Sequence, residues 1–143
     1  MSPEPVFADT SFFFALAARR DGAHARARGV YARLLRAGRG VVTSDYVLDE
    51  TLTLVKARFS GTVALALLER IERSPAVDIQ EIGALRFKSA LTVFRKYADQ
   101  DFSFTDCTSF ALMRELKVKE ALTTDHHFEL AGFRALLRDG RAA

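Results

Sequence analysis

A single cysteine, Cys107, is all the thiol this chain of 143 residues has, so no intrachain disulfide can form and nothing calls for an oxidising compartment. Long apolar runs are missing too. The most apolar stretch, Phe12 to Ala18, ends at Arg19 and Arg20, far short of the roughly 20 residues that a membrane helix needs. The N-terminus shows neither the basic region nor the cleavage site of a signal peptide. The expectation is a soluble, cytoplasmic protein with no membrane partner. Glycine and proline are not in excess, and there is no repeat, low-complexity tract or linker. The chain therefore reads as one compact domain over 1–143, with 139–143 as a frayed tail. Soft metal ligands are scarce: His24 is remote, and the adjacent His126 and His127 would diverge on a turn, so no zinc spacing exists. Both of the latter read as surface histidines. Cys107 reads as a small hydrophobe in a helix, with no His and Asp placed to activate it.

What the chain has in quantity is charge. Twenty-one basic against 18 acidic side chains give a net +3. Setting aside four acids discussed below leaves 21 against 14, a clearly basic remainder. Between Arg19 and Arg39 there are seven arginines (Arg19, Arg20, Arg26, Arg28, Arg33, Arg36, Arg39) and one acid, Asp21. Such a run can be a solvated helix face, or a footprint for a phosphate backbone or an acidic partner.

The hydrophobic pattern alternates short strands with helices. Val6 to Ala8, Val41 to Thr43, Val77 to Ile82, Ala121 to Thr124 and a stretch within Arg134 to Leu137 read as strands, the third lying near a sheet edge. Phe12 to Arg20, Ala23 to Leu35, Tyr46 to Phe59, Thr62 to Arg73, Ala84 to Tyr97 and Phe104 to Leu116 read as helices. Gly38 and Gly40 close the second helix, and Ser44 or Asp45 caps the third. Alternation of this kind predicts an α/β fold, a three-layer α/β/α sandwich on a mainly parallel, Rossmann-like sheet of about four to five strands.

Four acids fall where such a fold can gather them. Asp9 and Asp125 each follow a strand, and ligands of open α/β sheets bind beyond the carboxyl ends of strands; an Asp there can equally be a helix cap. Glu50, between Val47 and Leu54 on one helix side, sits at the margin of an apolar stripe and leans toward the sheet. Asp106 can complete a capping box with Ser103 and still direct an oxygen outward. Clustered carboxylates repel one another, and a hard cation makes the cluster tolerable. Asp99 and Asp101 read as solvated loop residues.

Val6-Phe7-Ala8-Asp9-Thr10-Ser11, Asp49-Glu50-Thr51, Phe102-Ser103-Phe104-Thr105-Asp106-Cys107 and Leu122-Thr123-Thr124-Asp125-His126-His127-Phe128 together resemble the PIN domain family, and more narrowly its VapC-type toxins. The resemblance covers nearly the whole chain. It implies a Mg²⁺- or Mn²⁺-dependent endoribonuclease, a homodimer held inactive by a cognate antitoxin. Asp9, Glu50, Asp106 and Asp125 match the family's acidic catalytic and metal-binding positions, with Ser11 and Thr10 in support of the first. Arg19, Arg20, Arg26 and Arg28 are candidates to hold RNA or the antitoxin. Hydrolysis by water at a metal would leave a 5′ phosphate and make no use of the ribose 2′ hydroxyl. The alternative is a PIN-like module that binds RNA or protein without cutting. Haloacid-dehalogenase-like chemistry needs an Asp where Ser11 stands, and a receiver domain needs an acidic pair that the chain lacks.

Overall fold

The computed structural model describes residues 3–138. Five strands, β1 (Val6–Ala8), β2 (Val41–Ser44), β3 (Val77–Gln80), β4 (Glu120–Leu122) and β5 (Arg134–Ala135), form one sheet in the order β3-β2-β1-β4-β5, with every pairing parallel. Seven helices accompany them among the described residues: α1 (Thr10–Ala17), α2 (His24–Arg36), α3 (Asp45–Arg58), α4 (Gly61–Arg73), α5 (Gly83–Lys96), α6 (Phe104–Leu116) and α7 (His126–Leu130). Val6, Phe7 and Ala8 in the central strand are all 0 % exposed. A strand dry on both faces requires helices on both faces, which is the three-layer α/β/α arrangement expected from the sequence.

The strand order explains where a ligand can bind. From β1 the chain steps outward to β2 and then β3, and only afterwards crosses to β4 and β5 on the other side of β1. β1 and β4 are thus hydrogen-bonded neighbours whose outgoing connections part, leaving a crevice at their carboxyl ends. Asp9 directly follows β1, and its amide donates to the Leu122 carbonyl of β4 at 3.2 Å. Asp125 lies three residues beyond the end of β4.

Local chemistry sets the element ends. Ser44 and Ser60 cap α3 and α4 by accepting the amides of Val47 and Val63, each at 3.1 Å. Gly38, with φ +74, turns the chain out of α2 in a conformation that costs glycine little. β3 is an edge strand, as its alternating sequence predicts. β3 ends at Gln80 rather than Ile82, and two further boundaries that differ from the sequence expectation bear on the site. α1 spans Thr10–Ala17 rather than Phe12 to Arg20, because Asp9 caps it two residues earlier and Ala18 leaves helical geometry. Arg19 and Arg20 consequently sit in the following turn. β4 is Glu120–Leu122, so Thr123 and Thr124 lie beyond the ladder, where their polar groups serve the site instead. The expected tail, 139–143, falls outside the described residues. None of the helices is long and apolar enough to cross a membrane, among the described residues.

Candidate active site

Asp9 is only 5 % exposed, yet its carboxylate meets hydroxyls rather than a cation. The Thr123 hydroxyl donates to Oδ2 at 2.9 Å and the Ser11 hydroxyl at 3.1 Å. Both hydroxyls have their orientation set from behind. The Asp125 amide donates to Thr123 Oγ1 and the Thr124 amide to Ser11 Oγ, each at 3.0 Å, so the hydroxyl protons are left for Asp9. Two backbone amides of the segment after β4 therefore fix the carboxylate after β1. Burial pushes the Asp9 carboxyl up to about 6; the Thr123 hydroxyl holds it back, and the negative charge of Asp106 adds to the rise. Thr10 works elsewhere: its hydroxyl reaches the Val47 carbonyl at 3.5 Å and receives the Thr51 hydroxyl at 3.4 Å, tying α1 to the helix of Glu50.

Asp106 does both jobs that its position allowed. Its amide donates to Ser103 Oγ at 2.9 Å while its Oδ2 accepts the Ser103 amide at 3.1 Å, completing the capping box of α6. It is also 8 % exposed and faces the other acids. Burial raises its pKa, the Ser103 amide lowers it, and the charges of Asp125 and Glu50 raise it further. Asp125 caps α7 through the His127 amide, at 2.9 Å to Oδ1.

His127 is the residue that sequence reasoning missed. Expected at the surface, its side chain is 19 % exposed, with Nδ1 lying 3.4 Å from Asp106 Oδ2 and 3.3 Å from Asp125 Oδ1. That nitrogen is fully buried and has no well-aligned hydrogen bond. The ring is held in place by Phe102, edge-on at 5.4 Å, which in turn packs on Phe110, itself packed on Phe128 in the core. Only the Phe128 position, on the helix turn that begins at Asp125, could have hinted that one of the paired histidines turns inward. His126 remains exposed, with Nδ1 3.7 Å from Asp125 Oδ1. Asp125, His126 and His127 offer ligand atoms within 4.8 Å of one another.

Glu50 completes the group. Asp9, Glu50, Asp106 and Asp125 line a single cleft of about 290 Å³, together with Thr10, Ser11, Phe14, Asp21, Leu54, Arg58 and Thr124. No lysine or arginine forms an ion pair with any of the four carboxylates among the described residues. Oxygen donors without a fixed counter-charge, around an open space, suit a hard divalent cation. Of the arginine candidates, none belongs to this wall; the cleft's own basic residue is Arg58. Arg26 lines an adjoining cavity of about 640 Å³ that shares Thr124 with the cleft and also holds Arg138. Arg19 and Arg20 line a third, of about 510 Å³. Arg28 is exposed on α2.

Known proteins share this sequence and this fold. The PIN domain family profile matches residues 6–134. The chain is 34 % identical over 128 residues, 90 % of its own length and 95 % of the relative's, to the 23S rRNA-specific endonuclease VapC20 of Mycobacterium tuberculosis. A VapC ribonuclease of Archaeoglobus fulgidus is 31 % identical over 125 residues, covering 85 % of this chain and 78 % of that one. The crystal structure of Mycobacterium tuberculosis VapC20, a sarcin-ricin loop cleaving toxin, superposes with a TM-score of 0.79 at 33 % identity, over 90 % of this chain and 95 % of that one. VapBC2 from Rickettsia felis matches at a TM-score of 0.65 and 11 % identity, over 91 % and 96 % of the two chains, a likeness of fold alone. Sequence, fold and acid placement agree: this chain belongs to the PIN domain family, in its VapC-type branch.

Proposed function

We propose that this protein is an endoribonuclease that depends on a divalent cation, Mg²⁺ or Mn²⁺, and acts as the toxin of a toxin-antitoxin pair. The observation that supports it most is the convergence of Asp9, Glu50, Asp106 and Asp125 on one cleft with no lysine or arginine paired to them among the described residues. The donor set fits such an ion. It consists of carboxylate oxygens, one of them so buried that its pKa is raised to about 6, beside the orphaned Nδ1 of His127.

In this reading the four carboxylates are the catalytic group and would hold the cation. When bound, the cation supplies the positive charge that lets a water give up its proton near neutral pH and that offsets charge gathering on the phosphate oxygens. The chain's own side chains do the positioning. Thr123 and Ser11 lock Asp9 in one rotamer, and Ser103 locks Asp106, so that neither carboxylate has to be ordered when substrate arrives. His127 stands between Asp106 and Asp125, with its Nδ1 3.4 and 3.3 Å from their oxygens, and spaces the two carboxylates. Water is the nucleophile, so RNA products would carry a 5′ phosphate and a 2′-deoxy substitution at the cut would not by itself stop cleavage.

The VapC relatives supply the first RNA to try, 23S rRNA. Membership of the VapC-type branch supports a cognate antitoxin that places a cation near the carboxylates, a homodimer, and action in the cytoplasm. The test is incubation of the purified protein with ribosomal and mixed RNA, with and without Mg²⁺ or Mn²⁺, followed by end-group analysis. Metal-dependent cleavage to 5′-phosphate ends, lost in Asp9→Asn, supports the reading. Binding without metal-dependent cleavage favours the non-cutting module, and 2′,3′-cyclic phosphate ends would overturn the mechanism.

A further inference from the structure

Next to the carboxylates lies an apolar shelf that the cleavage chemistry does not use. Phe14 and Phe59 stack at 5.8 Å between ring centroids with 28° between planes, and Phe59 remains 49 % exposed. The Arg58 guanidinium sits over the Phe14 ring, 5.7 Å from its centroid. These three residues line the pocket of about 510 Å³ that Arg19, Arg20 and Asp21 complete. Phe14, Asp21 and Arg58 also line the carboxylate cleft, so the two spaces share a wall.

A half-exposed phenylalanine on a soluble surface gains nothing by itself. Phe59 is the C-cap residue of α3, its amide bonded to the Val55 carbonyl at 2.9 Å, and that backbone role is open to any residue type. Resting on the proposed ribonuclease activity, the geometry points to a seat for one unstacked nucleobase of the RNA, flanking the phosphate to be cut. Phe14 belongs to the wall of the carboxylate cleft and stacks on the exposed Phe59, so aromatic faces run from the cleft onto the shelf; a single-stranded base is held by stacking on such faces and on arginine planes. Arg19 and Arg20, which have no ion pair among the described residues, and Arg58 supply positive charge where the flanking phosphates would run. An apolar protein segment would find the same hydrophobic surface but has no use for three arginines around it. The substrate class is thus RNA single-stranded at the cut site, and Phe59 with Phe14 is the base-stacking pair.

Short single-stranded oligoribonucleotides carrying the fluorescent base 2-aminopurine at one position at a time test this in the absence of divalent metal, where cutting does not interfere. Wild type should quench one position strongly, and that position should border the bond cut once metal is added. Phe59→Ala should abolish this quenching and weaken binding about five- to a hundredfold, while Phe59→Trp retains both. Phe59→Leu separates the occupants: it keeps apolar bulk without an aromatic face, so RNA binding should fall nearly as far as in the alanine variant. Arg58→Ala should weaken binding and reduce its salt dependence by about one charge. Leucine and alanine variants that quench and bind like wild type would overturn the proposal and give the shelf to a protein partner. A wild-type protein that never cuts RNA, whatever the quenching, would instead count against the ribonuclease reading.

Discussion

The two ends of the sheet treat acids in opposite ways. At the amino-terminal end, Glu120 at the start of β4 lies between Arg39, at 2.6 Å, and Arg134, at 3.2 Å. At the carboxyl end, Asp9, Glu50, Asp106 and Asp125 share a cleft, and no lysine or arginine pairs with any of them among the described residues. The chain is rich in arginine, so the difference is one of placement and not of supply. An acid with a structural task is neutralised in place. Asp9, Asp106 and Asp125 are instead held in position by hydroxyls and amides, which orient a carboxylate without neutralising its charge.

Substitutions at the two ends should therefore part sharply. Asp106→Asn should lower metal-dependent RNA cleavage about a hundredfold or more, as loss of one preorganised electrostatic group does elsewhere, measured as initial rates on 23S rRNA. His127→Ala should cost about ten- to a hundredfold, since it removes the group spacing Asp106 from Asp125 without removing a carboxylate. Rates unchanged in His127→Ala would make that histidine a packing residue only. Thr123→Val should cost about tenfold and weaken Mn²⁺ binding, visible by calorimetry, because one of the two hydroxyls fixing Asp9 is lost. Glu120→Gln, at the other end, should leave cleavage within about twofold and cost about 1 kcal/mol of unfolding free energy.

Stability against pH sharpens the same contrast. Asp9 has its folded pKa raised from 3.8 to about 6. Above the unfolded value the folded state keeps a proton that the unfolded state has lost, so the metal-free protein should lose stability as pH rises from about 4 to about 6, and then level off. A difference of about 2 units corresponds to about 3 kcal/mol at most, at 1.36 kcal/mol per unit. Asp9→Asn should reduce that slope, Asp106 with its own raised pKa supplying the remainder, and, in metal-free buffer at pH 7, unfold at higher urea than wild type while being inactive. A variant less stable than wild type under those conditions would mean that the carboxylate is needed for folding.

Much of this site was legible before any fold was known, for reasons that can be stated residue by residue. Asp9 and the pair Ser103 and Asp106 show themselves because strand ends and helix caps have local sequence signatures. Glu50 shows itself through its place beside an apolar stripe. Asp125 is visible as the acid after the last strong strand, and the motifs taken together carry the family resemblance. His127 was hidden, because tandem histidines have no periodicity and its burial depends on Phe102 and Phe110, far away in the chain. Thr123 was read as a strand residue; its role exists only because β1 and β4 are neighbours, which pairing decides and local sequence does not. Arg58 and Phe59 were hidden for the same reason, being the end of one helix brought against Phe14 of another. The arginine run, the most conspicuous feature of the composition, lies beside the cleft and not in its wall.

Anomalous diffraction from crystals grown with Mn²⁺ is the most direct test of a cleft built for a cation. The account predicts an anomalous peak within about 2.0–2.6 Å of carboxylate oxygens of Asp9 and Asp106, absent from Asp9→Asn crystals. A cleft that stays free of anomalous density at saturating Mn²⁺, or a peak held by surface acids elsewhere, would contradict it.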